Sequence, residues 1–298
     1  LKSKPASLEI DLSDENRIKI NYDNKAVSFP KGEVTDFPNM PDGKFKPIGQ
    51  WSKEAVMLLH SQLPYVSTDE LRPSLNCIYV NQNGSFSSCA TDGHVLRLIK
   101  EMDPHHECKL KKFSGIVPKR ILQLLPRIVT NSVQVSFSED WYRFELEHGL
   151  TLDLRAVEAT YPDFARVIPQ EFASSVQVDV ERMRNLAEAA KAFANRATMS
   201  SEFDIDGEEL SITVDNVDGG THWESSMKVE RLSGDGVRVG MNLDYLHRVL
   251  DGVSGKKALW KYNDAASASV FSDPDGNGGS AMNLIMPIRL AKEGDSDG

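Results

Sequence analysis

The sequence predicts an α+β chain of tandem repeated domains, on three observations: a recurring spacing, amphipathic helices at fixed places within it, and period-two segments between them. The spacing is marked by two corners in which an aromatic precedes proline, Asp36-Phe37-Pro38-Asn39-Met40 and Thr160-Tyr161-Pro162-Asp163-Phe164. Each leads into a helix with a capping side chain, Ser52 in one case and Asp179 in the other. Corner and cap recur after roughly 124–127 residues, far longer than a solenoid repeat, so each unit is a domain in its own right. Each reads as strands, helix, strands, helix, strands.

Taken in order, Leu8–Ile10, Arg17–Tyr22 and Lys25–Phe29 give three short strands without a helix, the tail of an earlier unit. The organisation is therefore residues 1–42 as the C-terminal remnant of a first domain, 43–168 as a second domain, 169–290 as a third, and 291–298 as an acidic tail. A helix from Ser52 to about Leu63 lines up Ala55, Val56, Leu59 and Leu63 on one face. Another opens at Pro118, taken as its first position, with Ile121, Leu124, Leu125 and Ile128 apolar; Pro126 inside it predicts a kink or an early end. The third domain repeats the pair. Asp179 to about Asn195 carries Val180, Met183, Ala187, Ala190 and Ala194, and a second helix starting in Val239-Gly240-Met241-Asn242 carries Tyr245, Leu246, Val249 and Leu250. Asn76–Val80, Val133–Phe137, Tyr142–Leu146, Leu150–Leu154, Leu210–Val214, Val237–Val239 and Met282–Met286 alternate as strands.

Composition limits the function classes. The 298 residues hold 34 Lys+Arg against 44 Asp+Glu, a net charge of −10, which excludes a protein that coats nucleic acid through bulk charge. Three cysteines, Cys77, Cys89 and Cys108, are too few for a disulfide framework and fit a reducing cytoplasm. No apolar run approaches the roughly 18 residues of a membrane span. Asp92-Gly93-His94 and His105-His106-Glu107-Cys108 could be read as a metal-dependent hydrolase site, but the loop lacks a partner motif and reads more simply as polar surface. Asp273-Pro274-Asp275-Gly276-Asn277-Gly278 starts like an EF-hand loop, yet its twelfth position is Leu284, so it reads as a hairpin turn. With no P-loop or nucleophile elbow, the expectation is no catalytic residue, no metal and no cofactor.

Five segments carry a family resemblance: Leu71-Arg72-Pro73-Ser74-Leu75-Asn76, Ala90-Thr91-Asp92-Gly93-His94-Val95-Leu96, Ile116-Val117-Pro118-Lys119-Arg120, Tyr161-Pro162-Asp163-Phe164-Ala165-Arg166-Val167-Ile168-Pro169 and Met286-Pro287-Ile288-Arg289-Leu290. In this order and spacing they resemble the bacterial DNA polymerase III β subunit, the sliding clamp. The resemblance implies a DNA-clamp fold, with antiparallel sheets outside, paired helices lining an inner face, and two chains head to tail in a ring around duplex DNA. It implies a processivity factor without catalysis, localised with the nucleoid in the cytoplasm. Its partners would be double-stranded DNA bound without sequence recognition, and the polymerase III alpha subunit, clamp loader and repair polymerases through short linear peptides. The alternative is a clamp-like module that docks peptides without closing a ring.

Site residues follow from the resemblance. DNA would face Lys53, Lys119, Arg120, Arg127, Arg182, Arg184, Lys191 and Arg196. The four helical segments 52–63, 117–129, 179–196 and 241–253 hold nine Lys/Arg and six Asp/Glu, leaving −13 on the rest of the chain, the division a basic hole and an acidic exterior require; solvated helix faces would give the same count. The peptide cleft would use Arg72, Leu75, Thr91, Gly93, His94, Leu96, Pro162, Arg166 and Val167, and from the third domain Asn242, Tyr245, Leu284, Met286, Pro287, Ile288 and Arg289. Val95 stands where many members carry a basic residue, and Thr198 where an aromatic is frequent. Ring closure would use the edge strand with Val27 and Phe29 against Phe193, for which internal core is the competing reading.

Overall fold

A two-residue loop decides the form of the N-terminal segment. Asp23 and Asn24 both have positive φ, 40° and 60°, the turn that matches strand twist in a tight hairpin. It joins β2 (Arg17–Tyr22) to β3 (Lys25–Pro30), and β1 (Glu9–Asp11) adds antiparallel on the other side, giving the order β1-β2-β3 with β3 at an edge. The computed structural model describes residues 7–33, 41, 43–83, 85–102, 111–274 and 280–290. The chain divides into two bodies, Leu1–Asp42, which holds this meander, and Gly43–Gly298. The Phe37-Pro38 corner, the His105–Cys108 loop, Asp275–Gly278 and the tail lie outside the described residues.

The second body is built of antiparallel sheets and two helix pairs. Its first half runs β4 (Lys46–Ser52), α1 (Lys53–His60), β5 (Cys77–Asn81), β6 (Phe86–Thr91), β7 (Val95–Met102), β8 (Ser114–Pro118), α2 (Lys119–Ile128), β9 (Ser132–Ser138), β10 (Trp141–Leu146) and β11 (Thr151–Arg155). Its second half runs β12 (Ser174–Asp179), α3 (Val180–Lys191), β13 (Ser200–Asp206), β14 (Glu209–Asn216), β15 (Thr221–Lys228), β16 (Glu230–Ser233), β17 (Arg238–Asn242), α4 (Leu243–Asp251), β18 (Lys257–Tyr262), β19 (Ser269–Ser272) and β20 (Ser280–Ile285). The halves share one wiring: the strand before the first helix pairs with the strand after the second, β4 with β9 and β12 with β18. Likewise β5 pairs with β8 and β13 with β17. The extra strand is β16, on the far side of β12.

Four-stranded sheets β11-β10-β9-β4 and β15-β14-β13-β17 flank a nine-stranded sheet, β16-β12-β18-β19-β20-β7-β6-β5-β8. The long sheet crosses the repeat boundary where β20 pairs with β7, from Ile285 opposite Val95 to Ser280 opposite Lys100. Helices α1 and α2 pack on each other, as do α3 and α4. Trp51 on β4 and Trp260 on β18 are both fully buried. Burying each large apolar side chain contributes about 1.5–3 kcal/mol, so the helix faces need no favourable propensity of their own.

Local chemistry corrects several boundaries. Helix α1 ends at His60, and Leu63–Tyr65 forms a separate 3₁₀ turn; α3 ends at Lys191, short of Asn195. Pro118 is the N-cap of α2 rather than its first helical residue, and Val239–Asn242 is strand, with α4 beginning at Leu243. Pro126 does not end α2, which continues to Ile128. A proline there withdraws the N–H that Leu122 O would accept. His60 Nδ1 lies 3.0 Å from that carbonyl and serves it instead.

Candidate functional site

The seam between the two repeats carries two adjoining cavities, and three layers of contact hold it together. The backbone layer is the β20–β7 ladder, extended by Met286 N donating to His94 O at 2.8 Å. Beneath it lies a buried polar cluster. Arg97 projects from β7 in an otherwise apolar run and donates from Nη1 to Gly252 O at 2.5 Å and Asn283 Oδ1 at 2.7 Å. Its cation thus meets the C-terminal end of α4, where carbonyls concentrate negative potential. The single Tyr65 O–H is shared between two acceptors, Arg248 O at 2.7 Å and Asn283 Oδ1 at 2.9 Å, and burial holds its phenol far above the usual range. Gln62 Nε2 donates to Ser88 O and Arg97 O. Gly252 fits because a Cβ there would collide with Asn283, Arg97 and Tyr65.

The third layer is at the surface. The turn from β6 to β7 is held by its own side chains: Thr91 Oγ1 donates to Val95 O, Gly93 N to Thr91 Oγ1, and His94 N and Val95 N to Asp92 Oδ1. Gly93 takes φ +98°, which a side chain would resist. Asp92 Oδ2 accepts from Arg248 Nη1 of α4 at 2.8 Å. The His94 ring stacks on Tyr245 with centroids 5.0 Å apart and an interplanar angle of 13°, and the Arg248 guanidinium lies over the same tyrosine at 5.0 Å. Burial, with Asp92 next, raises the Tyr245 phenol above its ordinary value.

One cavity, about 220 Å³, is apolar and is lined by Leu75, Leu96, Leu284 and Met286, by Pro162, Phe164 and Val167, and by Thr91, Gly93 and His94 of the β6–β7 turn. Tyr161 and Phe164 are fixed by packing on Tyr79, with centroids 5.6 Å away in both cases. The second cavity, about 580 Å³, is polar and includes Arg72, Asp92, His94, Tyr245 and Arg248. Arg72 is paired with Asp69 at 2.8 Å. The carboxyl of Asp69 is held below its usual range, first by the Leu71 N–H and then by Arg72. His94 belongs to both cavities.

Some sequence-derived cleft residues fall elsewhere. Asn242 is the N-cap of α4: its Oδ1 accepts from Asp244 N and Tyr245 N and its Nδ2 donates to Thr198 O, so most of its amide is engaged by its own helix and the preceding loop. Arg166 is exposed and paired with Asp163, and Arg289 is exposed; neither lines a cavity among those described, nor do Pro287 and Ile288. Ile288 N instead donates to Gly240 O. The residues that sequence reasoning missed are those of the seam, Arg97, Asn283, Tyr65, Gly252 and Arg248. Only Arg97 carried a signal, a cation inside Val95-Leu96-Arg97-Leu98-Ile99.

The basic side chains divide by repeat. On α1 and α2, Arg120 and Arg127 are exposed and Lys53 is half-buried, with no carboxylate partner shown for any of them among the described residues. Lys119 is half-buried, and its Nζ donates to Ser67 O and Asn76 Oδ1, both 2.9 Å. On α3 and α4 cations are met by acids, Arg184 with Asp251 at 3.0 Å and Lys191 with Asp244 at 3.0 Å and Glu188 at 3.4 Å; His247 Nε2 also lies 3.0 Å from Glu188. Arg182 reaches Ser226 O, and Arg196 is exposed beyond the helix. Val27 and Phe29, on β3, are 36% and 49% exposed. Phe193, 38% exposed, stacks on Trp223 of β15 at 6.3 Å, and its carbonyl accepts from Thr221 Oγ1.

No group of His, Cys, Asp and Glu among the described residues is arranged to hold a metal. Cys77 and Cys89 are buried free thiols, and burial pushes Cys77 up to about 12. No helix among the described residues is long and apolar enough to cross a membrane.

Comparison with known proteins follows the same lines. Residues 165–289 match the family described as the DNA polymerase III beta subunit, C-terminal domain. The chain is 25% identical over 302 residues to the beta sliding clamp of Caulobacter vibrioides, covering 97% of this chain and 79% of the relative. Against that of Synechocystis it is 26% identical over 299 residues, covering 94% and 75%. In three dimensions it is similar to the Pseudomonas aeruginosa DNA polymerase sliding clamp, TM-score 0.80 at 22% identity, over 97% of this chain and 79% of that one. The Bartonella birtlesii sliding clamp, solved bound to griselimycin, gives TM-score 0.83 at 23% identity over 97% and 78%.

Proposed function

We propose, for a chain that belongs to the bacterial DNA polymerase III beta-subunit family and is a non-catalytic sliding clamp, that it encircles duplex DNA and tethers polymerases through the cavity at its repeat seam. The observation that carries the docking half is the apolar cavity beside a polar one, at a boundary both repeats build. A short extended peptide with an apolar pair would seat that pair on Leu96, Leu284, Met286 and Val167, leaving its polar groups toward Arg72 and His94. Partners of this chemistry are the polymerase III alpha subunit, the clamp loader and repair polymerases. The two repeats are residues 43–168 and 169–290, after the unit of residues 1–42 that holds the β1-β2-β3 meander.

The DNA half rests on charge. Arg120, Arg127, Lys53, Arg182 and Arg196 offer phosphate contacts that carry no sequence information and are individually weak, which sliding demands. The −13 left outside the helical segments keeps DNA from adhering elsewhere. Ring closure is supported by the wiring. Strand β3 ends its meander as β20 ends its repeat, and β15 holds the place in its sheet that β7 holds in the first half. The β20–β7 ladder is therefore a template for β3 of one copy pairing with β15 of another, with Val27 and Phe29 meeting Phe193. Retention on nicked circular DNA, with loss from the same DNA once linearised, tests the topology. Equal loss from both forms, with a monomer in sedimentation that still binds a partner peptide, selects a docking module that closes no ring.

A further inference from the structure

We infer that Arg248 is a positioning residue for peptide docking: through Asp92 and Tyr245 it fixes the His94–Tyr245 stack, whose His94 ring lines the apolar cavity and whose Tyr245 ring lines the polar one. The inference rests on the docking function proposed above and assigns to it a residue that lines no part of the apolar cavity itself.

The stack is built from two elements that share no backbone bond at this point, the β6–β7 turn and helix α4. Asp92 joins them with one carboxylate. Its Oδ1 takes His94 N at 2.8 Å and Val95 N at 3.0 Å, setting the backbone that carries the His94 ring. Its Oδ2 takes Arg248 Nη1 at 2.8 Å. On the helix, Arg248 follows Tyr245 by three residues, so both side chains lie on one face. The guanidinium sits 5.0 Å from the tyrosine ring, close enough for a cation–π attraction, and also donates to Pro64 O at 3.3 Å. Asp92 is 13% exposed and Arg248 33%, so the pair is shielded from solvent more than a surface bridge is. Remove Arg248 and Asp92 keeps the turn, but nothing charged connects that turn to α4, and Tyr245 loses the group over its ring.

Such a stack matters because a peptide seats fastest and stays longest on side chains already ordered. His94 is shared by the two cavities and carries the stack, so its freedom is felt by the apolar and the polar part of a ligand together.

The test uses the full chain and a fluorescein-labelled hexapeptide beginning with Gln and ending in Leu-Phe, followed by fluorescence anisotropy. Arg248→Met weakens binding roughly 3- to 10-fold, the range that releasing one or two ordered side chains gives, mainly through a faster off-rate. Asp92→Asn, which keeps an Oδ1 acceptor, does the same, and the double variant loses no more than either single one. A readout before any peptide is added separates positioning from loss of fold. The His94 ring protons, shifted upfield by the face of Tyr245 and assigned by His94→Ala, move toward their free-histidine positions in Arg248→Met. Parent-like binding within twofold, additive losses, or an unmoved His94 resonance would each overturn the inference. If the parent chain itself fails to bind the hexapeptide, the docking function fails instead, and the His94 resonance still decides whether Arg248 holds the stack.

Discussion

Replacing Arg97 with methionine measures what the buried cluster under the seam contributes. Methionine keeps most of the stem's packing and removes the guanidinium. Two charge-assisted hydrogen bonds disappear, to Gly252 O and Asn283 Oδ1, each contributing about 1.5–3 kcal/mol, or roughly 3–6 together. Asn283 Oδ1 retains Tyr65 as donor, whereas Gly252 O is left with none shown. Against this stands the desolvation of a cation that is 6% exposed and whose Nε has no partner, of which about 1–3 kcal/mol returns when the group is deleted. Taken at mid-range, the net is a destabilisation of about 2–3 kcal/mol. Urea unfolding followed by tryptophan fluorescence reads it as a lower midpoint at unchanged slope. A variant as stable as the parent, or more so, would falsify the account, because it would mean that the burial of this charge outweighs what it binds.

Other expectations follow from single contacts. His60→Ala leaves Leu122 O without its ring donor and lowers stability by about 1–2 kcal/mol; in a Pro126→Ala background the restored N–H shrinks that loss, which a double-mutant cycle in urea detects. Gly252→Ala drives a methyl into Arg97, Asn283 and Tyr65, so a loss above about 2 kcal/mol is expected, on the order of severe overpacking. His222 on β15 faces Asp215 on β14, with Nδ1 2.5 Å from Oδ1, and its pKa lies above 6.5, first through that hydrogen bond and then through the carboxylate's charge. Because the folded value is raised, its contribution is full below about 6.5 and fades as pH climbs through the folded pKa. NMR titration shows the elevated value, and Asp215→Asn returns it toward about 6.5. Arg120→Gln with Arg127→Gln reduces the salt slope of retention on DNA by about two, one for each phosphate no longer neutralised, while Lys119→Gln leaves it nearly unchanged.

Much of the fold was legible because its signals are local. Ser52 and Asp179 cap α1 and α3 as their side chains announce, and the apolar spacing of Met183, Ala187 and Ala190 has no other use. Local patterns misled where a carbonyl or a neighbouring element decides. Pro126 looked like a stop because the ring of His60, 66 positions earlier in the chain, is invisible to local periodicity. Val239–Asn242 looked helical because it leads into a helix, whereas pairing with β13 makes it strand. At the site, the apolar residues were readable as a motif. The polar seam was not: Arg248, Asn283 and Tyr65 acquire meaning only once β20 lies beside β7. Asn242 shows the converse, a residue suited to a ligand by type and claimed by its own helix.

The β20–β7 ladder also determines how the molecule comes apart. Two domains tied by a linker would melt separately, each with its own midpoint. Here six residue pairs of one continuous sheet lie across the boundary, so opening either repeat exposes an unpaired edge on the other. The body from Gly43 onward is therefore a single cooperative unit of about 250 residues. In native-state hydrogen exchange, amides of β7 and β20 share one opening free energy, and it equals that of the buried strands on either side.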